Sequence, residues 1–207
     1  MARRNDHSRE TLREMALDAA WRIVDSQGAP ALTARAVAAE IGYSPGTLYN
    51  IFGNLDDLIV QLNGRVLDAL HARISAAPQG DDPVEDLLAL AQAYTDFTTH
   101  HRALWDALFE ARLSEGQTLP DWYLKKIDTL LAVVEEVLSR ALPEAEPEDR
   151  RRSARVLWCS VHGICSLALA GKLGLVTSES GRVMIESLVR NYLDGLRNGE
   201  VRAANRA

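Results

Sequence analysis

The sequence predicts an all-α protein of about nine helices, a small N-terminal three-helix head followed by a larger C-terminal helical bundle. Three observations carry that prediction. Apolar residues recur three and four positions apart along nearly the whole chain, and no stretch alternates apolar with polar residues as a half-buried strand does. Side chains that cap helix N-termini stand before the first four periodic segments. Glycine or proline separates most segments from the next.

Ser8, with Glu10 and Thr11 behind it, is the N-cap of a first helix that presents Leu12, Met15, Ala16, Ala19, Ile23 and Val24 along one face and stops at Gly28 and Pro30. Thr33 caps a short helix, Ala34 to Glu40, closed by Gly42. Ser44 caps another, Pro45 to Ile51, whose proline takes the first helical position, where its missing N–H does no harm; Gly53 closes it. Asn54 with Asp56 and Asp57 opens a long fourth helix to about residue 77, since a capping side chain and two first-turn carboxylates suit the positive helix end. The stretch Pro78 to Pro83 is the clearest break in the chain, and helices are predicted beyond it near 84–100, 102–114, 119–141, 147–171 and 179–197. Residues 1–53 then form the head, 54–77 a connecting helix and 78–207 the bundle.

With 47% hydrophobic and 25% charged residues and only seven prolines, the chain has the composition of a folded protein. It contains no run near the roughly 18 apolar residues of a membrane span, and its opening Met1-Ala2-Arg3-Arg4 lacks the apolar core of a secretory signal, so a cytoplasmic location is expected. Cys159 and Cys165 are six positions apart in helical sequence. That puts them about 9 Å apart along the axis and about 120° around it, poorly placed to bridge. Both read as small buried apolar residues, and without a Cys-x-x-Cys or His-x-x-x-His pattern no metal site is expected. His100-His101 reads as a solvated pair at a helix end. The chain shows no nucleophile motif, no phosphate-binding glycine loop and no paired metal ligands, so neither an enzyme nor a cofactor is expected.

A net charge of −6 argues on its face against nucleic acid, but the charge is unevenly placed. Residues 1–55 carry six arginines, Arg3, Arg4, Arg9, Arg13, Arg22 and Arg35, against six carboxylates, so the head is neutral and begins with a basic arm. A neutral head binds DNA if its arginines face one way.

The stretch from Leu32 to Phe52 carries the function. Two helices this short cannot bury their apolar faces alone, so Ala36, Val37, Ile41, Leu48 and Phe52 must pack onto the first helix and the start of the fourth. Gly42 stands where a tight helix-to-helix turn needs positive φ, and Gly46 is small enough to let the backbone approach a phosphate. In a helix-turn-helix the second helix enters the major groove with its N-terminal residues at the base edges, while the first lies against the backbone. Ser44, Thr47 and Asn50 are predicted to read bases, with the compact Pro45 and Gly46 beside them. Thr33 and Arg35 are predicted to grip a phosphate, and Tyr49 to divide itself between the core and another phosphate. Arg3 and Arg4 are candidates for a neighbouring groove.

Thr33, Val37-Ala38, Gly42, Ser44, the run Gly46-Thr47-Leu48-Tyr49, Phe52 and Leu58 resemble the head of the tetracycline-repressor (TetR) family of transcriptional regulators over about residues 8–60. Two positions depart from that pattern: Ile51, where the family often has histidine or tyrosine, and Leu55, where a phosphate-gripping lysine is common. Asn54 and the exposed N–H groups of the fourth helix are left to do that work. The segment Leu157-Trp158-Cys159-Ser160-Val161-His162-Gly163 resembles the Trp-x-x-x-His-Gly (WHG) signature of one C-terminal domain type in the family.

The resemblance implies a homodimeric repressor released from a palindromic double-stranded DNA operator by a small, largely apolar inducer. It further implies dimerisation through the last two long helices, with Val161, Ile164, Ala168, Leu188, Tyr192 and Leu196 as the candidate interface. Read from spacing alone, these stripes suit core within the chain as well. Phe97, Trp105, Phe109, Trp122 and Trp158 are the candidate walls of an inducer pocket, although large aromatics are also ordinary core. His162 either joins them or is hydrogen-bonded to a neighbouring helix.

Overall fold

The structure, a computed structural model, describes residues 7–110 and 118–204, with side chains placed for 7–109 and 118–198. Among these residues there are nine α-helices and no strand: α1 (Arg9–Gln27), α2 (Ala34–Glu40), α3 (Pro45–Phe52), α4 (Leu55–Ser75), α5 (Pro83–His100), α6 (Arg102–Glu110), α7 (Asp121–Ala141), α8 (Pro147–Leu169) and α9 (Gly181–Ala204). Short 3₁₀ turns follow α1 and α8, at Ala29–Ala31 and Leu173–Leu175. The expected basic arm, Arg3 and Arg4, and the last residues expected in α6 lie outside the described residues.

Side-chain caps fix the N-termini. Ser8 Oγ accepts the N–H of Thr11 at 3.1 Å, Thr33 Oγ1 that of Ala36 at 3.1 Å, Ser44 Oγ that of Thr47 at 3.2 Å and Asn54 Oδ1 that of Asp57 at 2.7 Å. α2 ends at Gly42, whose φ of 75° lets the N–H of Tyr43 reach back to the carbonyl of Ala38 at 2.8 Å. α9 begins two residues later than expected because Ser180 Oγ accepts the N–H of Val183 at 3.3 Å.

The chain divides into two compact units, Met1–Asp68 with His101–Leu124 and Ala69–His100 with Lys125–Ala207, and α4 passes through the division. In the first unit α1 is central. Its buried Leu12, Ala16, Leu17, Ala19, Ala20, Ile23 and Val24 spread over about 160° of circumference at about 100° per residue, too wide an arc for one neighbour. α2 and α3 cover part of it, and α6 covers the rest with Leu104 and Trp105 buried. α6 therefore packs with the head, although its position in the chain suggested the C-terminal bundle. His101, expected in solvent, instead places Nδ1 3.2 Å from Asp25 Oδ1 and its ring 5.5 Å edge-on from Trp21.

In the second unit α5, α8 and α9 pack on one another around Leu87, Leu90, Leu157, Val161, Ile185, Val189 and Leu193. The buried carboxylate of Asp86 accepts the Gly80 N–H at 2.7 Å and Arg140 Nη2 at 2.6 Å, which ties the Pro78–Pro83 break to α7. The Gly80 N–H first, against the cost of burial, and then the Arg140 guanidinium hold that carboxyl below the usual carboxylate range. Cys165 is buried but Cys159 is exposed, which corrects the expectation that both lie inside: their offset of about 120° turns one in and the other out. Among the described residues no helix is long and apolar enough to cross a membrane, and no three His, Cys, Asp or Glu side chains form a metal site.

Candidate functional site

α3 turns Leu48, Ile51 and Phe52 inward, none more than 5% exposed. The opposite side presents Pro45, Gly46, Tyr49 and Asn50 to solvent, and Thr33, Arg35, Ser44 and Asn54 are exposed around it. Of the residues expected to meet DNA only Thr47 is half-buried, with Oγ1 3.0 Å from Ser44 Oγ. The outward face therefore centres on Gly46, Tyr49 and Asn50, with Thr47 at its edge.

A Cβ added at Gly46 would meet only Ser44 Oγ, at 3.7 Å, and its φ is not positive. Among the described residues nothing else comes within 4 Å of that position, which lies on the exposed side of α3.

The C-terminal end of α3 is held from α1. Arg9 Nη2 donates to the Ile51 carbonyl at 3.3 Å and Arg13 Nη2 to the same oxygen at 3.5 Å. Arg13 Nη1 also donates to Gln61 Oε1, and its guanidinium lies 5.4 Å from the centre of the Phe52 ring. Gln61 in turn donates to Asp57 Oδ1 at 2.9 Å, linking α1, α3 and α4. Sequence reasoning missed this pair because arginines four apart on a helix look like an ordinary solvated face. The signal was their position one turn before and one residue after Leu12, beside the apolar stripe.

The two departures from the family pattern have local consequences. Ile51 is 5% exposed and belongs to the head's core, where an aliphatic side chain fits. Leu55 is half-buried and offers no charge to a phosphate. The head's carboxylates are largely occupied: Asp18 and Glu14 by Arg65, the former at 2.6 Å, and Glu40 by Arg22 at 3.4 Å. Neutral net charge thus leaves Arg35 exposed beside Thr33 at the start of α2.

In the second unit Trp158 and His162 stack, with ring centres 5.2 Å apart and planes 10° from parallel. Tyr94 Oη lies 2.8 Å from His162 Nδ1, and Ser166 Oγ 3.2 Å from Nε2. Burial lowers the pKa of the imidazole and raises that of the Tyr94 phenol. The neutral ring accordingly accepts a hydrogen bond from the phenol O–H at Nδ1 and donates one from Nε2 to Ser166. His162 is thus bonded to a neighbouring helix, α5.

The void beside Trp158, bounded by Ile74, Leu90, Tyr94 and Val161, measures about 50 Å³. At about 30 Å³ of liquid volume per water, that is room for one or two waters as the side chains stand. Of the expected pocket aromatics, Phe97, which is buried, and Trp158 and His162, which are half-buried, belong to this unit. Trp105, Phe109 and Trp122 belong to the first, where Phe109 is 49% and Trp122 40% exposed.

Among the expected dimer residues Val161 is turned into the core, Ile164, Leu188, Tyr192 and Leu196 are half-buried, and Ala168 is exposed. α8 also carries two exposed aliphatic side chains that sequence reasoning missed. Val156 and Leu167, 40% and 38% exposed, flank Ser160 and Gly163 at spacings of four, three and four.

A helix-turn-helix whose second helix presents Gly46, Tyr49 and Asn50 outward, with no strand among the described residues, fits a DNA-binding transcriptional regulator. Residues 16–62 match the family described as "Bacterial regulatory proteins, tetR family", and residues 87–192 match "Tetracyclin repressor-like, C-terminal domain". The chain belongs to the TetR family, whose members are transcriptional regulators and not enzymes. It is similar to the uncharacterized HTH-type transcriptional regulator Rv0681 of Mycobacterium tuberculosis, at 24% identity over 168 residues covering 81% of this chain and 75% of that one. The HTH-type transcriptional regulator BetI of Rhizobium meliloti is 31% identical over 112 residues, 51% of this chain and 55% of BetI. The fold is shared with a protein of unknown function from Rhodococcus sp. RHA1, with a TM-score of 0.72, 21% identity and coverage of 94% and 98% of the two chains.

Proposed function

We propose that the protein is a homodimeric repressor with a WHG-type C-terminal domain, released from a palindromic operator by a small, largely apolar ligand. The observation that carries this reading is the outward face of α3, which presents Pro45, Gly46, Tyr49 and Asn50 to solvent. Two such heads occupy successive major grooves about 34–36 Å apart on a two-fold symmetric site. Dimerisation uses the Val156, Ser160, Gly163 and Leu167 row of α8 with Leu188, Tyr192 and Leu196 of α9, a self-complementary four-helix contact. The sensing part is the second unit, which holds Tyr94, Trp158 and His162. α4, continuous from Leu55 to Ser75, passes from the first unit into the second and is the lever. To empty the operator the ligand must favour the non-binding arrangement by a few kcal/mol.

Mobility shift with DNA fragments flanking the gene, at low salt, tests the repressor reading together with sedimentation of the free protein. The expected result is a retarded fragment carrying an inverted repeat and two chains per site. A wild-type protein that retards no fragment overturns it. Leu167→Glu should give a monomer that retains its helical content, and a Leu167→Glu protein that still dimerises removes this interface.

A further inference from the structure

Between α5, α8 and α9 the second unit carries an open groove of about 800 Å³. That is the size of a small-molecule site, commonly about 300–1,000 Å³, whereas the space beside Trp158 measures about 50 Å³. One wall is apolar, formed by Ile164, Ala168 and Ile185.

The α5 wall is polar in a specific sense. Thr95 Oγ1 donates its proton to the Ala91 carbonyl at 2.8 Å, and Thr99 Oγ1 donates to the Thr95 carbonyl at 2.8 Å. Gln92 Nε2 donates to Asp96 Oδ1 at 2.7 Å. With their protons directed to backbone carbonyls, the two hydroxyls can face a ligand only as acceptors, Thr95 Oγ1 also lying 3.3 Å from Cys165 Sγ, while Gln92 offers its carbonyl and one remaining N–H. The ionic groups of the lining cancel, Glu85 and Glu186 against Arg182 and Arg190. Arg190 binds both carboxylates, at 2.8 and 3.1 Å.

A lining without net charge gives little return for desolvating an ion of either sign. An O–H or N–H donor finds acceptors on the α5 wall in the Thr95 and Thr99 hydroxyl oxygens and the Gln92 carbonyl. We propose that this groove is a binding site for an uncharged, hydrogen-bond-donating molecule with an apolar ring body, of the phenol or alicyclic alcohol class. The hydroxyl donates to Thr95 or Thr99, and the rings lie on Ile164, Ala168 and Ile185. The site deepens the reading of a ligand-responsive regulator, on which its regulatory consequence rests. Binding is measured without DNA, so its failure is distinguishable from a failure of operator release.

Calorimetric titration of the full chain with 2-naphthol, 2-methoxynaphthalene and 2-naphthoate tests the assignment. 2-Naphthol should bind, and the methyl ether and the anion should bind at least about tenfold more weakly, the equivalent of one lost hydrogen bond of about 1.4 kcal/mol. Thr99→Val should narrow the naphthol-to-ether ratio, and Ala168→Trp should abolish binding of all three. Thr99 and Ala168 are both exposed, so neither change threatens the fold. No binding of 2-naphthol, equal binding of the ether or the anion, or an Ala168→Trp protein that still binds would overturn the proposal.

Discussion

Gly46→Ala separates what the fold needs from what DNA needs. Glycine inside a helix costs roughly 0.5–1 kcal/mol relative to alanine, because the unfolded chain has more conformational freedom to lose. The new methyl would sit 3.7 Å from Ser44 Oγ and within 4 Å of nothing else in the chain, so no clash offsets that gain. Thermal unfolding of the free protein should therefore be unchanged or raised by up to about 1 kcal/mol, a few degrees for a chain of this size. The same methyl stands on the exposed face of α3, between backbone and phosphate. It should weaken operator binding by about 1–2 kcal/mol, roughly 5- to 30-fold in Kd by fluorescence anisotropy. A lower unfolding midpoint would show that Gly46 serves the fold, and unchanged affinity in the variant would place the phosphate elsewhere.

Arg13→Ala should lose the cation–π contact with Phe52 and the hydrogen bonds to Ile51 and Gln61, lowering stability by about 1–2 kcal/mol in denaturant titration. Operator affinity should fall with it because α3 loses its anchor, and Arg13→Lys should restore little, since a point charge cannot span both oxygens. His162 has a folded pKa below the ordinary 6.5, so the unfolded chain takes up that proton first and stability drops as pH falls below about 6.5. His162→Gln should flatten the pH dependence of the unfolding midpoint on the acid side of about pH 6.5, and an unaltered slope would assign the titration to another group.

The head was legible in the sequence almost residue by residue, because caps and turns are local. Ser8, Thr33, Ser44 and Asn54 announce helix starts by a bond to a backbone N–H two or three residues on, and Gly42 ends α2 through its own φ. The packing partners of α1 were not legible, since its buried arc shows that a second neighbour exists but does not say that the neighbour is α6. His101 was misread for the same reason: its partners Asp25 and Trp21 are about 76 and 80 positions away in sequence. In the second unit the apolar stripes of α8 and α9 were visible, but which side faces inward depends on α5, so Val161 proved internal while Val156 and Leu167 were overlooked. The aromatic cluster was ambiguous as a pocket signature because large rings fill space as readily as they line it, and the void beside Trp158 is small.

The central claim is that the outward face of α3 reads DNA sequence. Competition binding of wild type and the Thr47→Ala/Asn50→Ala double variant, against the retarded fragment and a scrambled version of it, tests that claim most directly. Each lost base contact is worth about 1–3 kcal/mol of discrimination. The double variant should therefore lose at least about tenfold of its preference for the cognate fragment while sedimenting and melting like wild type. Undiminished preference in a folded double variant would contradict the account.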